Sequence, residues 1–537
     1  MTLLRKRNIF AFFVSAGLIG LYFYLWNHYA LNIPKWDDHP LKGVVSDFEK
    51  STTLSEQFNI IFRQHNEHRI VLTRIVAIID YQLFGELNFK HLMFFGNLAL
   101  LVIWWLITRF FKQTIAPVWY AIPIVALWFS MAFWENAFWG MAAVQNFWVV
   151  AFALLCFWVL RRNDGYWWWA MPVAFMAFFT SGNGILVFPI SFLILLIQKK
   201  YQKSVIWVFF SIIIAVLYFQ ILDYHRPPQE FLVPTNIKTI FRGFMLMAGS
   251  MVEGLPFGLD TTKLPLYNGW LTTFVSVSLI LYILRNFVKK QSELNHYDYF
   301  YLGGTLFALL SIALVCYSRL GGGTELMLNS RYKIYSALLF SFNIAYLTIF
   351  VNQKFRDSLT ITFLIGASFL YISNQHYHLY DTINFRKFQI LSAFNWKSYP
   401  NPNDSTRFLY NRPKLFTDDI VLDKTDTLGL GFKENLEWKF DNYLQTDLRD
   451  GGKYLVLEGS ESYLVPYISP RKHSFRNLLN YNQFFGKGVI LKLNPDDFES
   501  GKYVVYQVEN IQTKLKTVKD CEVLIKSKPR SSLKVNW

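Results

Sequence analysis

Apolar stretches of membrane-spanning length recur along the first 373 residues, and they constrain the fold of this chain more than any other feature. About 20 apolar residues in a helix cover the hydrocarbon core of a bilayer. Charged residues make up only 17% of the 537 residues, against about 25% in soluble globular proteins. The sequence therefore predicts an α-helical polytopic membrane protein with about eleven spans, at 9–26, 91–108, 117–133, 146–160, 166–180, 184–198, 204–222, 266–284, 298–316, 334–351 and 358–373.

Clusters of Lys and Arg occur at every second connection between these stretches. Loops that face the cytoplasm carry an excess of such residues close to the span ends. We therefore expect a cytoplasmic N-terminus and an uncleaved first helix. Topology then explains much of the net charge of +16, and nucleic acid is not a predicted partner. The clusters are Arg5, Lys6 and Arg7; Arg109 and Lys112; Arg161 and Arg162; Lys199, Lys200 and Lys203; Arg285, Lys289 and Lys290; and Lys354 and Arg356.

The long polar segments all fall on the other, extracytoplasmic face. They include residues 27–90, 317–333 and the C-terminal tail. An apolar stretch at 240–256 contains Arg242 and Glu253 and is predicted to be interfacial or re-entrant. We expect a transmembrane domain over 1–373, a helical connector over 374–400 and a β-sandwich-like domain over 401–537. Its strands are predicted at 454–458, 463–468, 488–493, 503–508 and 521–526, because these runs alternate and turn residues separate them.

The first extracytoplasmic loop holds the leading candidates for catalysis. Asp37 and Asp38 follow the first span by about ten residues, and adjacent carboxylates are stable as anions only when they are solvated, paired with cations or bound to a metal. A divalent ion such as Mg²⁺ or Mn²⁺ at Asp37, Asp38 and His39 is possible, although no cofactor is required. The other interpretation is a solvated start of the loop.

The rest of this loop is predicted to form two short helices. Thr53 and Glu56 fit a capping box that starts the first, and Gly85 is a plausible C-cap of the second. Between them, Glu67, His68 and Arg69 cluster at the start of the second helix. His65 and His68 are spaced as possible metal ligands, but hydrogen bonding is the more usual role of such a pair.

This arrangement resembles the GT-C superfamily of membrane glycosyltransferases, which includes protein O-mannosyltransferases and lipid A aminoarabinose transferases. The resemblance covers roughly the first 110 residues and the overall topology. It implies a catalytic aspartate in the first outside loop, where Asp37 and Asp38 stand. The polar sequence that often reads His-Pro or Pro-Pro in that family is Glu67-His68-Arg69 here, which is a departure.

A second polar segment lies before the predicted tenth span. Three glycines follow Arg319, and Ser330, Arg331, Tyr332 and Lys333 come shortly after. Backbone N–H groups of a glycine-rich loop can approach a phosphate, and Arg can bind one with two hydrogen bonds. Contact with lipid headgroups is the alternative. Further candidates on the same face are Asn183, Glu135, Glu253 and His225.

Together with this resemblance, these observations predict a membrane glycosyltransferase, and the resemblance implies the plasma membrane of a bacterium. The donor would be a sugar on a polyprenyl phosphate or diphosphate, and the acceptor a glycan, lipid or protein. Asp37 or Asp38 would be the base of an inverting displacement, while Arg319, Arg331 and Lys333 hold the phosphate and Glu67, His68 and Arg69 complete the pocket. The alternatives are a lipid-linked oligosaccharide polymerase or ligase, and a transporter or flippase without catalytic residues.

Overall fold

The computed structural model describes most of the helical part of the chain and the strands of its tail. The described residues are 3–112, 118–162, 165–226, 231, 236–257, 262–290 and 294–398, followed by 422–429, 437–440, 453–459, 462–466, 471–479, 484–485, 489–492, 500–509 and 515–525. The described chain is mostly helical, which agrees with its apolar sequence.

Eighteen α-helices occur in the described residues. They are α1 (Leu3–Tyr29), α2 (His39–Lys50), α3 (Leu54–Phe62), α4 (Val71–Phe84), α5 (Phe89–Lys112), α6 (Ile122–Trp128), α7 (Trp134–Ala137), α8 (Gly140–Ala142), α9 (Trp148–Leu160), α10 (Ala170–Thr180), α11 (Val187–Ile197), α12 (Tyr201–Val216), α13 (Ile237–Ala248), α14 (Lys263–Lys290), α15 (His296–Arg319), α16 (Lys333–Phe350), α17 (Gln353–Ser398) and α18 (Phe475–Leu479).

Eight helices of the described chain are long and apolar enough to cross a membrane, so the protein is a membrane protein. They are Arg7–Tyr29, Phe89–Phe111, Gly140–Leu160, Tyr201–Ile221, Lys263–Lys289, His296–Gly322, Ser330–Phe350 and Gln353–Ala393. Two further apolar helices, Trp167–Thr180 and Gly182–Ile197, are shorter. Ten of the eleven predicted spans therefore coincide with apolar helices, although the number that cross a bilayer stays a prediction.

The predicted span at 117–133 is not one continuous helix. Its described residues form α6 with a 3-10 turn on each side, and Ser130 interrupts the helical path with an extended backbone. Residues 121–133 are all buried inside the protein. Irregular backbone at membrane depth is tolerated where protein, rather than lipid, surrounds it.

The stretch at 240–256 forms α13 and a 3-10 turn, and at 12 residues α13 is shorter than a span. It packs closely against α14. A Cβ atom on Gly249 would lie 2.0 Å from the Pro265 carbonyl oxygen, and one on Gly269 would lie 1.7 Å from that of Met245. The two backbones approach so closely because both positions are glycine, as is common between helices in membranes.

Helices α1 and α17 lie side by side and run in the same direction. Arg7 pairs with Asp357 at one end (Nη1–Oδ2, 2.7 Å), and Arg386 donates to the His28 carbonyl at the other (2.7 Å). At 46 residues, α17 is about 69 Å long, whereas a bilayer core is about 30 Å thick. Helix α17 must therefore project from the membrane. Its polar part, from residue 374 on, continues the same helix rather than forming a separate connector.

The projecting part of α17 lies at the end of the bundle where the first loop is found. Gln389 donates to the Ile33 carbonyl (3.4 Å), and Phe385 packs against Trp134 (ring centroids 5.4 Å apart). The described tail is at this end too, because Phe485 packs on Tyr380 of α17. We call this end, which also holds Asp37, the loop end of the bundle.

The tail contains two sheets. The strands are β1 (Leu422–Gly429), β2 (Glu437–Phe440), β3 (Lys453–Glu458), β4 (Ser462–Pro466), β5 (Val489–Lys492), β6 (Gly501–Glu509) and β7 (Leu515–Ile525). One sheet has the order β1-β7-β6-β3-β4 and the other pairs β2 with β5. All pairs are antiparallel except β1–β7. Each of the five predicted strands overlaps an observed one, while residues 467–468, 488, 493 and 526 of those predictions lie outside the described residues.

Candidate functional site

Asp38 is a buried structural anchor. Trp36–Asp38 forms a 3-10 turn directly before α2, and the Asp38 side chain is fully buried. Its Oδ1 accepts the backbone N–H of Met141 (2.7 Å), and its Oδ2 accepts that of Lys35 (3.1 Å). Burial raises the pKa of Asp38 to about 7, against the opposing effect of these hydrogen bonds. Asp38 thus joins the first loop to the start of the Gly140–Leu160 helix and is not placed to meet a substrate.

Asp37 is the accessible member of the pair. Its side chain is 38% exposed, and Oδ1 lies 4.0 Å from Nε2 of His65. A tight turn fixes His65, because His65 and His68 exchange two backbone hydrogen bonds (2.7 and 3.0 Å). Burial, together with the charge of Arg74, lowers the pKa of His65 to about 4. His65 is therefore neutral at pH 7 and presents an imidazole to the carboxylate.

Lys35 lies in a cage of aromatic rings next to this turn. Its Nζ is 4.1 Å from the ring centre of Trp36, 4.6 Å from that of Phe385 and 4.8 Å from that of Trp139. The carboxylate of Glu135 lies 3.7 Å away. Burial lowers the pKa of Lys35 to about 8, although the charge of Glu135 opposes this. No local sequence pattern pointed to Lys35, because its partners Glu135, Trp139 and Phe385 come from distant segments.

Arg331 reaches the same place from the turn before α16. The side-chain amide of Asn136 donates to the Arg331 carbonyl (3.0 Å), and the Glu135 N–H donates to Oγ of Ser330 (3.2 Å). The carboxylates of Glu135 and Asp37 both act electrostatically on the Arg331 guanidinium. Lys35, Asp37, Glu135 and Arg331 thus form one group, which we call the charged cluster.

The Arg331 guanidinium keeps part of its hydrogen-bonding capacity. Its Nε is buried and has no hydrogen-bond partner in the described part of the structure. The ring of Tyr332 lies under the guanidinium, 5.1 Å from its carbon atom. Arg331 can therefore still donate to an incoming acceptor.

Lys333 belongs to a different group. It is 1% exposed, forms an ion pair with Glu253, and its Nζ lies 2.9 Å from Nε2 of His378. Nδ1 of His378 contacts Asp381 (3.0 Å), which pairs with Arg471 of the tail. We call Glu253, Lys333, His378, Asp381 and Arg471 the buried network. Lys333 is engaged there and does not join Arg331 as a cation for phosphate.

Sequence reasoning missed three members of this network. His378 and Asp381 lie at i, i+3 on α17, a spacing that places two side chains on one helix face. That spacing was a usable signal. Arg471 comes from the tail, 90 residues after Asp381, and no sequence signal indicated that it would join the network.

Arg69 has a structural role instead of lining a pocket. Its buried guanidinium donates to the carbonyls of Phe62 (2.6 Å), Leu222 (2.7 Å) and Tyr218 (3.2 Å). These bonds tie the first loop to the end of the Tyr201–Ile221 helix. The two terminal nitrogens of the guanidinium are thus used to hold the fold, while Nε has no hydrogen-bond partner among the described residues.

Glu67 and Arg319 form a separate ion pair at the surface (2.8 Å), with side chains that are 42% and 25% exposed. His68 is close to both, since their charges act on it. Burial lowers the pKa of His68. This pair brings the first loop against the glycine-rich turn that follows α15.

The remaining candidates lie apart from the charged cluster. Asn183 donates to Tyr335 Oη (2.8 Å) and Ser311 Oγ (3.2 Å), so it holds helices together. His225 is largely exposed and pairs with Asp223 (3.1 Å). Neither contacts Asp37 or Arg331 among the described residues.

A metal at Asp37, Asp38 and His39 stays a prediction. Across the described residues, no three His, Cys, Asp or Glu side chains converge as a metal site. Both oxygens of Asp38 are taken up by backbone N–H groups. Of the three, Asp37 is the better placed to contact an ion.

Comparisons with known proteins found no relative of this chain. No family model matches the chain, and no curated protein and no solved structure shows detectable similarity to it. The chemistry of the charged cluster therefore carries the functional argument.

Proposed function

We propose that this protein is a GT-C-like glycosyltransferase that moves a sugar from a polyprenyl-phosphate-linked donor to an acceptor at the outer face of the bacterial plasma membrane. The N-terminus would lie in the cytoplasm, with the loop end and the tail outside. The observation that supports this best is the half-exposed Asp37 carboxylate, which lies near both a neutral histidine and an arginine with a free donor.

Asp37 would act as the general base. In the proposed step, a carboxylate oxygen of Asp37 takes the proton of the acceptor hydroxyl while the hydroxyl oxygen attacks the anomeric carbon. The bond from this carbon to the phosphate oxygen breaks, and the lipid phosphate leaves with the electron pair. A single displacement of this kind inverts the configuration at the anomeric carbon.

Arg331 would stabilise the departing phosphate. Negative charge develops on the leaving oxygen, and a fixed guanidinium donor is most effective when it faces that charge in a poorly hydrated site. Nε of Arg331 is buried and has no hydrogen-bond partner among the described residues, so a phosphate that reaches this position would satisfy it. Arg319, which the sequence also suggested, is held by Glu67 and would act at longer range.

Glu135 is the rival base, but its environment favours Asp37. Glu135 is 8% exposed and pairs with Lys35, so its carboxylate is already occupied. Asp37 is more accessible and faces an imidazole that is neutral at pH 7. This assigns Glu135 to holding Lys35 and Asp37 to the proton transfer.

The test is transfer by the purified full-length protein in nanodiscs, supplied with a polyprenyl-phosphate sugar. Asp37→Asn should lower the rate by about 10²–10⁴-fold, which is the usual contribution of a general base. Asp47→Asn is the matched control, because Asp47 is an exposed carboxylate that pairs with Arg63 on the same loop. Unchanged transfer by Asp37→Asn would remove the catalytic assignment.

Arg331 needs its own comparison. Arg331→Met should lower the rate and weaken inhibition by the free lipid phosphate product, whereas Arg331→Lys should keep part of both. Lys keeps the charge but cannot form the paired hydrogen bonds of a guanidinium. If Arg331→Met binds the product as tightly as the unchanged protein, the phosphate is held elsewhere.

A polymerase or ligase of lipid-linked oligosaccharides shares the donor and the compartment with this proposal. The length of the product separates the two functions. Addition of one sugar supports the transferase, and a ladder of products supports the polymerase.

A transporter or flippase is the second candidate, and the buried network favours it. Ionisable side chains buried among helices often mark proton or substrate pathways. Transport across liposomes by Asp37→Asn that is lost in Lys333→Met would favour this candidate over the transferase.

A further inference from the structure

Lys387 of α17 is a buried ammonium with an incomplete environment. Its side chain is 1% exposed, and Nζ has no hydrogen-bond partner among the described residues. No carboxylate acts on it in the described part of the chain. The ring of Phe485 lies 5.2 Å from Nζ. A cation–π contact offsets only a small part of the hydration that a buried ammonium loses, so this charge calls for an anion.

The neighbours of Lys387 on the same helix face add two more features. Asn384 lies one turn earlier and is 8% exposed, and its Oδ1 also lacks a hydrogen-bond partner within the described ranges. Tyr380 lies a further turn back, with its ring centre 5.4 Å from that of Phe485. Residues three and four apart share a helix face. Tyr380, Asn384, Lys387 and Phe485 therefore surround one place between α17 and the tail, which we call the Lys387 site.

The chemistry of the Lys387 site indicates what would satisfy it. An ammonium has only donors and needs an acceptor, which an acid group supplies with charge. The Asn384 carbonyl oxygen needs a donor, which a hydroxyl supplies. The aromatic rings offer apolar surface. Free inorganic phosphate would supply charge and a hydroxyl, but no apolar surface for the aromatic rings.

We propose that the Lys387 site binds an anionic saccharide, with its carboxylate or phosphate on Lys387 and a hydroxyl on Asn384. The tail would then hold a glycan chain against the projecting part of α17. This assigns a binding role to the junction between the helical bundle and the tail.

The Lys387 site is separate from the charged cluster. Phe385 contacts Lys35, and Arg386 bonds the His28 carbonyl, so those residues face the first loop. Lys387 follows Phe385 by two residues, which is about 200° around the helix. The two sites lie on opposite faces of α17, and the inference does not depend on transferase activity.

The experiment measures the thermal unfolding midpoint of the full-length protein in phosphatidylcholine nanodiscs at constant ionic strength. The added probes are glucuronate, inorganic phosphate and glucose. We expect glucuronate to raise the midpoint most, phosphate less and glucose not at all, since binding to the folded state stabilises it. Lys387→Met should abolish both responses. Without ligand it should unfold at a higher midpoint than the unchanged protein, because an unpaired buried charge is gone.

Three further variants control this result. Lys387→Arg keeps the charge and should keep the phosphate response, which guards against misfolding of the methionine variant. Asn384→Ala should reduce the glucuronate response, because the hydroxyl of the saccharide loses its acceptor. Lys238→Met removes an exposed lysine elsewhere and should respond like the unchanged protein.

Several outcomes would overturn the proposal. One is a thermal unfolding midpoint of the unchanged protein that does not change when glucuronate is added. Another is a glucuronate response that Lys387→Met retains. A response to phosphate that equals that to glucuronate, with no effect of Asn384→Ala, would indicate a simple anion site. A Lys387-dependent response to phosphatidylglycerol in the nanodisc, without one to glucuronate, would indicate a lipid headgroup instead.

Discussion

The charged cluster and the buried network both lie at the loop end, but their charged side chains differ in exposure and in pairing. In the charged cluster, the Asp37 side chain is 38% exposed, and Nε of Arg331 has no hydrogen-bond partner in the part of the chain that the structure describes. In the buried network, Lys333 and His378 are almost fully buried, and each contacts two members of the group. The charged cluster thus leaves a carboxylate exposed and a hydrogen-bond donor unused, whereas the buried network pairs its charged groups with one another.

This difference matters because Arg331 and Lys333 are only two residues apart. Both are cations at the start of the same helix, and the sequence treats them alike. Their partners separate them, since the carboxylates of Glu135 and Asp37 act on Arg331 while Glu253 pairs with Lys333. One turn of chain thus supplies a guanidinium in the charged cluster and an ammonium that is paired within the buried network.

The largest predicted effect concerns the buried network. Lys333→Met should lower the free energy of unfolding by about 3–5 kcal/mol, because it leaves Glu253 with an unpaired buried charge. Arg63→Met is the matched control. Arg63 pairs with Asp47 at the surface, where both side chains are more than 40% exposed, and such pairs contribute about 1 kcal/mol or less. Reversible unfolding in mixed micelles measures both losses.

The double variant Glu253→Gln with Lys333→Met sharpens this result. Removing both charges should cost less than the sum of the two single losses, since neither partner is left alone. Equal losses in Lys333→Met and Arg63→Met would mean that the buried network is no more tightly coupled than a surface pair.

A second prediction compares Asp38 with His65 by the pH dependence of stability. The pKa of Asp38 is raised from 3.8 to about 7, so the folded state holds the proton between these values. Its contribution to stability falls as pH rises from about 4 to about 7. The pKa of His65 is lowered from 6.5 to about 4, so the unfolded state holds that proton, and the contribution of His65 falls as pH drops over this range.

The two variants should therefore change the slope in opposite directions. Between pH 4 and 7, Asp38→Asn should make the slope of unfolding free energy against pH more positive, and His65→Gln should make it more negative. Each change is at most about 1.4 kcal/mol per pH unit, since one proton is involved. Chemical unfolding at several pH values measures the slopes. If both substitutions change the slope in the same direction, then either the raised pKa of Asp38 or the lowered pKa of His65 is wrong.

Local features of the fold could be predicted from the sequence. The capping box of Thr53 and Glu56 and the left-handed C-cap at Gly85 are both present, because each depends on residues within a few positions. The predicted strands overlap the observed ones for the same reason, because alternation and turn residues are also local features. The continuity of α17 was also within reach, since no Gly or Pro occurs between residues 367 and 398 to end the helix.

The different surroundings of the site residues could not be predicted from the sequence. Asp37 and Asp38 look equivalent in the sequence, and Asp38 becomes an anchor only because the Met141 N–H lies 2.7 Å away. That contact joins positions 103 residues apart. Lys35 and Arg69 acquire their surroundings in the same way, from segments whose approach only the folded chain determines.

The smallest predicted effect concerns Trp36, which adjoins both aspartates and has a φ of 41°. A side chain in this left-handed region is strained, whereas glycine is not. Trp36→Gly should therefore be more stable than Trp36→Ala, by about 1 kcal/mol after the greater freedom of unfolded glycine is allowed for. Phe58 is the control, because it is an exposed aromatic residue within α3. There the order should reverse, since glycine in a helix is about 1 kcal/mol less favourable than alanine. If alanine is the more stable substitution at both positions, the backbone at Trp36 carries no strain, and the cage of rings around Lys35 does not hold this turn in place.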